Sequence, residues 1–124
     1  MADRTWPSVP APLAARFTRA VAGLRDVTTR RMFGCPAAFT AGHMFAGLFA
    51  DSMFLRLPAA ERDRFIRAFG AAPFEPVRGR VMREYVVVPP EVLAAPRTLA
   101  GALAKAHAYA SSLPPKAPRA ARAP

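Results

Sequence analysis

The chain holds one cysteine, Cys35, in 124 residues. That excludes a disulfide within the chain and a zinc site built on clustered cysteines. Histidine is almost as scarce, with His43 and His107 alone. Neither they nor Cys35 fall at ligand spacings such as H-x-x-x-H or C-x-x-C, so no metal and no cofactor is expected. Gly42 and Gly47 are not followed by the Lys and Ser/Thr of a phosphate-cradling loop. A long unbroken apolar run is missing too. The longest uncharged stretch, Met32 to Ala50, approaches spanning length. It is interrupted by Gly34, Pro36, Gly42 and Gly47 and carries Thr40 and His43. A hairpin turning at Ala41-Gly42 accounts for all of these. Met1-Ala2-Asp3-Arg4 leads into prolines rather than an apolar signal region. The expectation is a soluble cytoplasmic protein with no membrane partner.

Acidic residues are few, 8 against 18 basic ones, for a net charge of +10. Such a surface attracts polyanions: nucleic acid, an anionic membrane or an acidic protein. Arginine outnumbers lysine 16 to 2. That bias also arises from genomic base composition, so composition alone does not assign the charge a role. The charge is uneven: residues 1–10 sum to zero, 11–113 to +7 and 114–124 to +3. At 52% hydrophobic residues the chain has enough apolar side chains for a core, and its length suits one domain.

Residues 1–10, with Pro7 and Pro10, read as a flexible leader. Pro12 suits a first helical turn, and Leu13, Phe17, Val21 and Leu24 then recur at helical spacing. From Arg31 to Leu57 the pattern turns to strands: a short extended piece, a hairpin of Ala37–Ala41 and His43–Ala50, then Met53–Leu57. The His43–Ala50 strand is apolar on both faces, which suits a strand covered on both sides or a concave one with a partner. Pro58 opens a second helix with Phe65, Ile66 and Phe69 inward, and Gly70 stops it. A loop with Pro73 and Pro76 follows. Arg78-Gly79-Arg80 reads as a tight turn into a strand over 81–88. Pro89-Pro90 precedes one turn, Glu91 to Leu93, and a last helix carries Leu99, Leu103, Ala106, Ala110 and Leu113 on one stripe. Residues 114–124, rich in Pro, Ala and basic side chains, read as a disordered tail. Strands joined by short turns are antiparallel. With helices on one face, the fold class is α+β, a two-layer domain over residues 11–113.

Arg31-Met32-Phe33-Gly34, Met44-Phe45-Ala46, Met53-Phe54-Leu55-Arg56-Leu57, Pro73-Phe74-Glu75-Pro76 and Met82-Arg83-Glu84-Tyr85, followed by Val88-Pro89, form an ordered set. Together they resemble the N-terminal domain of TfoX/Sxy proteins over roughly residues 13–113. The resemblance implies an antiparallel sheet of about five strands in the order helix, three strands, helix, two strands, helix. Met32, Phe33, Gly34 and Tyr85 are its motif residues here. Since nothing orders Cys35, His43 and His107 as a catalytic set, a non-enzymatic role is expected. The founding members regulate competence genes with a cyclic-AMP receptor protein and carry a second, helical domain. This sequence ends about eleven residues past the shared region, so the expectation is a stand-alone relative. Cys35-Pro36 stands where many relatives have a second glycine and an aromatic residue.

The candidate nucleic-acid residues are basic. Arg30 and Arg31 open the sheet, and Arg78, Arg80 and Arg83 lie on a later turn and strand. Neighbouring strands would make all five guanidiniums converge. Lys116, Arg119 and Arg122 add an extended basic tail able to follow a phosphate backbone. Phe33, Phe54 and Tyr85 are either core residues or exposed for base stacking. Cys35 with His43 or His107 would be the sole nucleophile and base, with nothing in the spacing to order them, and a small packed cysteine is the plainer reading. Glu61 and Asp63 read as a solvated face paired with Arg62, Arg64 and Arg67. The partner is then DNA, bound non-specifically without a helix-turn-helix, or a transcription regulator. The alternative is a protein-binding adaptor or homodimer whose charge serves solubility.

Overall fold

The structure is a computed structural model that describes residues 9–32 and 34–115. The elements run α1 (Ala11–Val21), β1 (Thr28–Met32), β2 (Cys35–Thr40), β3 (His43–Phe49), β4 (Ser52–Arg56), α2 (Ala59–Phe69), β5 (Pro73–Val77), β6 (Arg80–Val87), α3 (Pro90–Leu93) and α4 (Pro96–Ser112). The strands form one antiparallel sheet in the order β1-β2-β3-β4-β6-β5. The α+β class and the helix order follow the sequence reading. The sheet has six strands rather than about five: four precede α2 where the expected order has three, and two follow it, since residues 73–77, which read as a loop, pair with β6.

Four helices share one face of the sheet. Leu13, Phe17 and Val21 of α1 pack with Leu99, Leu103, Ala106 and Ala110 of α4 against Ala38, Phe45, Leu48, Met53, Leu55 and Val86 of the strands. Burial of apolar surface on this scale dominates the folding free energy. A bulge sharpens the fit. Phe39 pairs with Met44 and Ala38 with Ala46, so Phe45 is one residue extra in β3. The extra residue sends Phe45 and Ala46 both toward the helices.

The turn between β2 and β3 falls at Ala41-Gly42, where the pattern places it. Both residues have positive φ, 53° and 82°, the type I′ geometry that matches strand twist. Gly42 is at ease there, whereas alanine pays a steric cost of about 1 kcal/mol for the left-handed region. Ala41→Asn is therefore expected to raise stability by about 0.5–1 kcal/mol. Equilibrium urea unfolding reads this as a higher midpoint at constant slope.

Candidate nucleic-acid and protein interface

β2, β3, β4 and β5 each send a buried side chain to a second apolar cluster on the helix-free face of the sheet. Ala37, Phe39, Met44, Phe54 and Phe74 form it, with Met32, Phe49, Met82, Tyr85 and Val87 at its margin. Among the described residues, no helical side chain takes part. Phe74 lies on β5 and Phe54 on β4, with β6 between them. Strands two places apart are roughly 9–10 Å from each other, yet these rings stack at 4.1 Å between centroids. The sheet therefore curls so that both side chains lean over β6. This second layer explains why β3 reads as apolar on both faces. It also settles two of the candidate stacking aromatics. Phe54 is fully buried. Tyr85 is half-buried and donates its hydroxyl to the Met44 carbonyl at 3.1 Å. Phe33 lies outside the described residues.

At one end of this face the cluster turns polar. Arg56 Nε meets Glu84 Oε1 at 2.6 Å. Its guanidinium stands 5.6 Å from the Tyr109 ring and 6.0 Å from the Tyr85 ring. Burial pushes the Tyr85 phenol up from its ordinary pKa, with Arg56 opposing and Glu84 adding to the shift. The phenol thus stays protonated and able to donate. His43 lines the same open depression with Arg83 and donates Nε2–H to the Pro114 carbonyl at 2.7 Å. These contacts join residues far apart in sequence, so periodicity gave no sign of them.

The five sheet arginines do not converge. β1 and β6 are not neighbours: β2, β3 and β4 lie between them. Arg30 and Arg31 diverge as well, because successive strand residues face opposite sides. Arg30 pairs with Ala37 and lays its guanidinium 4.2 Å from the Phe39 ring, on the helix-free face. Arg31 faces the other way and donates to the Gly34 carbonyl at 2.7 Å.

Arg78, Arg80 and Arg83 lie on one short stretch of chain, the β5–β6 turn and the start of β6. β4 pairs with β6 only at residues 85–87. The stretch 80–83 is thus backed by β5 alone, and β5 with β6 makes a two-stranded arm. The turn is Arg78-Gly79, held by Glu75 Oε2 accepting the Gly79 N–H at 2.6 Å. Pro73 and Pro76 remove donors from β5, which suits an edge strand only and fits the irregular register with β6. All three arginines are exposed, and no carboxylate pairs with them among the described residues. Among the described residues, Val77 and Val81, 51% and 46% exposed, are the large hydrophobic side chains most open to solvent. The tail candidates Lys116, Arg119 and Arg122 lie outside the described residues.

Cys35 and His43 sit at opposite ends of the β2–β3 pair, since Thr40 is the residue opposite His43. Five residues of strand separate Cys35 from Thr40, roughly 16 Å. His107 is half-buried. Its ring meets Phe45 edge-on at 5.3 Å, and its Nε2–H reaches the Arg25 carbonyl at 2.7 Å. Among the described residues no three His, Cys, Asp or Glu side chains gather as a metal site. Also among them, no helix is long and apolar enough to cross a membrane. Glu61 takes Arg64 at 2.9 Å and, unforeseen from the helix alone, Lys105 of α4 at 3.3 Å.

A family model described as the TfoX N-terminal domain matches residues 19–110. No curated protein matches the chain at a significant level.

Proposed function

Because the chain belongs to the TfoX N-terminal-domain family, we propose that it is a non-enzymatic accessory module of transcription regulation in the cytoplasm. It attaches to DNA through non-specific phosphate contacts and meets a regulatory protein with its sheet. The observation that carries this reading is the arm of β5 and β6, with three exposed guanidiniums that no carboxylate among the described residues pairs with. A two-stranded ribbon is narrow enough to lie in a groove, and arginine suits phosphate. Each neutralised phosphate steepens the salt dependence of binding by about 0.9 in log–log slope.

The test compares four proteins in salt-titrated DNA binding. One is the full chain and one ends at Leu113. A third carries Arg78→Ser, Arg80→Ser and Arg83→Ser. The fourth loses the same charge on helix-layer positions, through Arg19→Ser, Arg25→Ser and Arg67→Ser. The arm variant is expected to lower the slope by about 2–3, and loss of the tail by at most about 3. The helix-layer variant should change it little. Equal effects from both triple variants would mean that net charge alone is at work. No binding by the full chain at low salt would end the DNA reading.

A protein-binding adaptor or homodimer without a DNA role is the second reading. The helix-free face supports it, since methionine and aromatic side chains at its margin suit a contact surface.

A further inference from the structure

A half-open cleft of about 260 Å³ runs between α2 and α4, on the layer opposite the candidate interface. Its floor is apolar, with Leu57, Phe65, Phe69 and Ala102. The Phe65 and Phe69 rings are tilted together at 5.0 Å. Charge is confined to the rim. At one end the Glu61 carboxylate takes both Arg64 and Lys105, and the Lys105 hydrogen bond is the largest of the influences that hold its pKa below the ordinary value. At the other end stands Arg97, exposed and without a carboxylate partner among the described residues. Arg97, Gly101 and Lys105 recur every fourth residue, so one stripe of α4 borders the cleft. Two turns of helix separate the outer two, roughly 12 Å.

Gly101 keeps the cleft open. A Cβ built there meets no atom within 4 Å, so no close packing calls for glycine. The residue sits inside a helix, where glycine costs about 1 kcal/mol relative to alanine. Its effect is to leave apolar space between two helices, with an unpaired cation at one end.

We propose that this cleft binds a linear amphiphilic monocarboxylate. The alkyl chain lies over Phe65 and Phe69, and Arg97 holds the carboxylate. An apolar groove with one cation not engaged by a carboxylate selects an apolar chain ending in a single negative charge. At the Glu61 end both cations, Arg64 and Lys105, are already engaged by one carboxylate, whereas Arg97 has no carboxylate partner among the described residues. This site is independent of the DNA reading.

The probe is decanoate, titrated below micelle formation into the ¹⁵N-labelled full chain. Acetate tests the head alone, and decyltrimethylammonium tests the chain with the opposite charge. Decanoate is expected to shift the Gly101, Ala102 and Ala68 amides saturably. Acetate and the cation should not. Gly101→Leu fills the space and removes the helix penalty, so it should unfold at equal or higher urea and lose the saturable shifts. Arg97→Gln, at an exposed position, should keep the fold and weaken binding about fivefold to tenfold. The proposal is overturned if decanoate gives no saturable shift. Equal binding by the cation, or unchanged decanoate affinity in Arg97→Gln or in a folded Gly101→Leu, would overturn it as well.

Discussion

Phe17→Ala is expected to lower the unfolding free energy by about 3–5 kcal/mol, a large share of the stability of an ordinary small domain. Phe17 is 1% exposed at the middle of α1. Its ring fills the space where α1 meets α4 and β3, within the cluster shared with Leu103 and Ala106. The α4 side of this cluster includes three alanines, Ala102, Ala106 and Ala110. Short side chains cannot swing into the gap, so the cavity stays and its cost adds to the lost transfer free energy. Urea unfolding should show a lower midpoint with the slope retained. Leu103→Ala, fully buried on the facing helix, belongs to the same range at about 2–5 kcal/mol. A loss below about 1 kcal/mol for Phe17→Ala would mean that α1 is not docked on the sheet.

The helix layer was legible in the sequence because its signal is local. Leu13, Phe17 and Val21 on α1 and Leu99, Leu103 and Ala106 on α4 recur at helical spacing and are buried. The turns at Ala41-Gly42 and Arg78-Gly79 were legible for the same reason, since turn residues act through their own φ. The residue pattern of 73–77 did not show β5, although the family resemblance implies two strands after the second helix, because Pro73 and Pro76 are loop signals in the interior of a sheet. At an edge they are tolerated, and edge position is a property of topology. A signal was nonetheless present: a two-residue turn at Arg78-Gly79 feeding a strand requires a strand before it. The candidate site was the least legible part. Whether Arg30 and Arg80 meet depends on strand order, and β1 and β6 turned out to be separated. The contacts of Arg56 with Glu84 and of His43 with Pro114 span 28 and 71 residues. No short-range pattern encodes such pairs.

Phe54→Ala is expected to cost about 3–5 kcal/mol, although no helix covers its side of the sheet. Phe54 is fully buried, stacked on Phe74 and edge-on to Tyr85 at 5.6 Å. Beneath the ring lies Gly47, its partner across the β3–β4 pair. A Cβ at residue 47 would come within 2.5 Å of Phe54 Cζ. Gly47→Ala must therefore push the ring off its stack, at roughly 1–3 kcal/mol. That outweighs the 0.5–1 kcal/mol or so that alanine gains over glycine in a strand. Once the ring is gone the methyl has room. The double variant Gly47→Ala/Phe54→Ala should then be no less stable than Phe54→Ala alone, a coupling of about 1 kcal/mol or more in a double-mutant cycle. Additive losses would place the strain elsewhere than between these two residues. If both single variants were near neutral, the helix-free face would be a plastic contact surface rather than a second core. The expected coupling instead makes Phe54 and Phe74 a fixed floor, with Met32, Phe49, Met82 and Tyr85 packed at its margin.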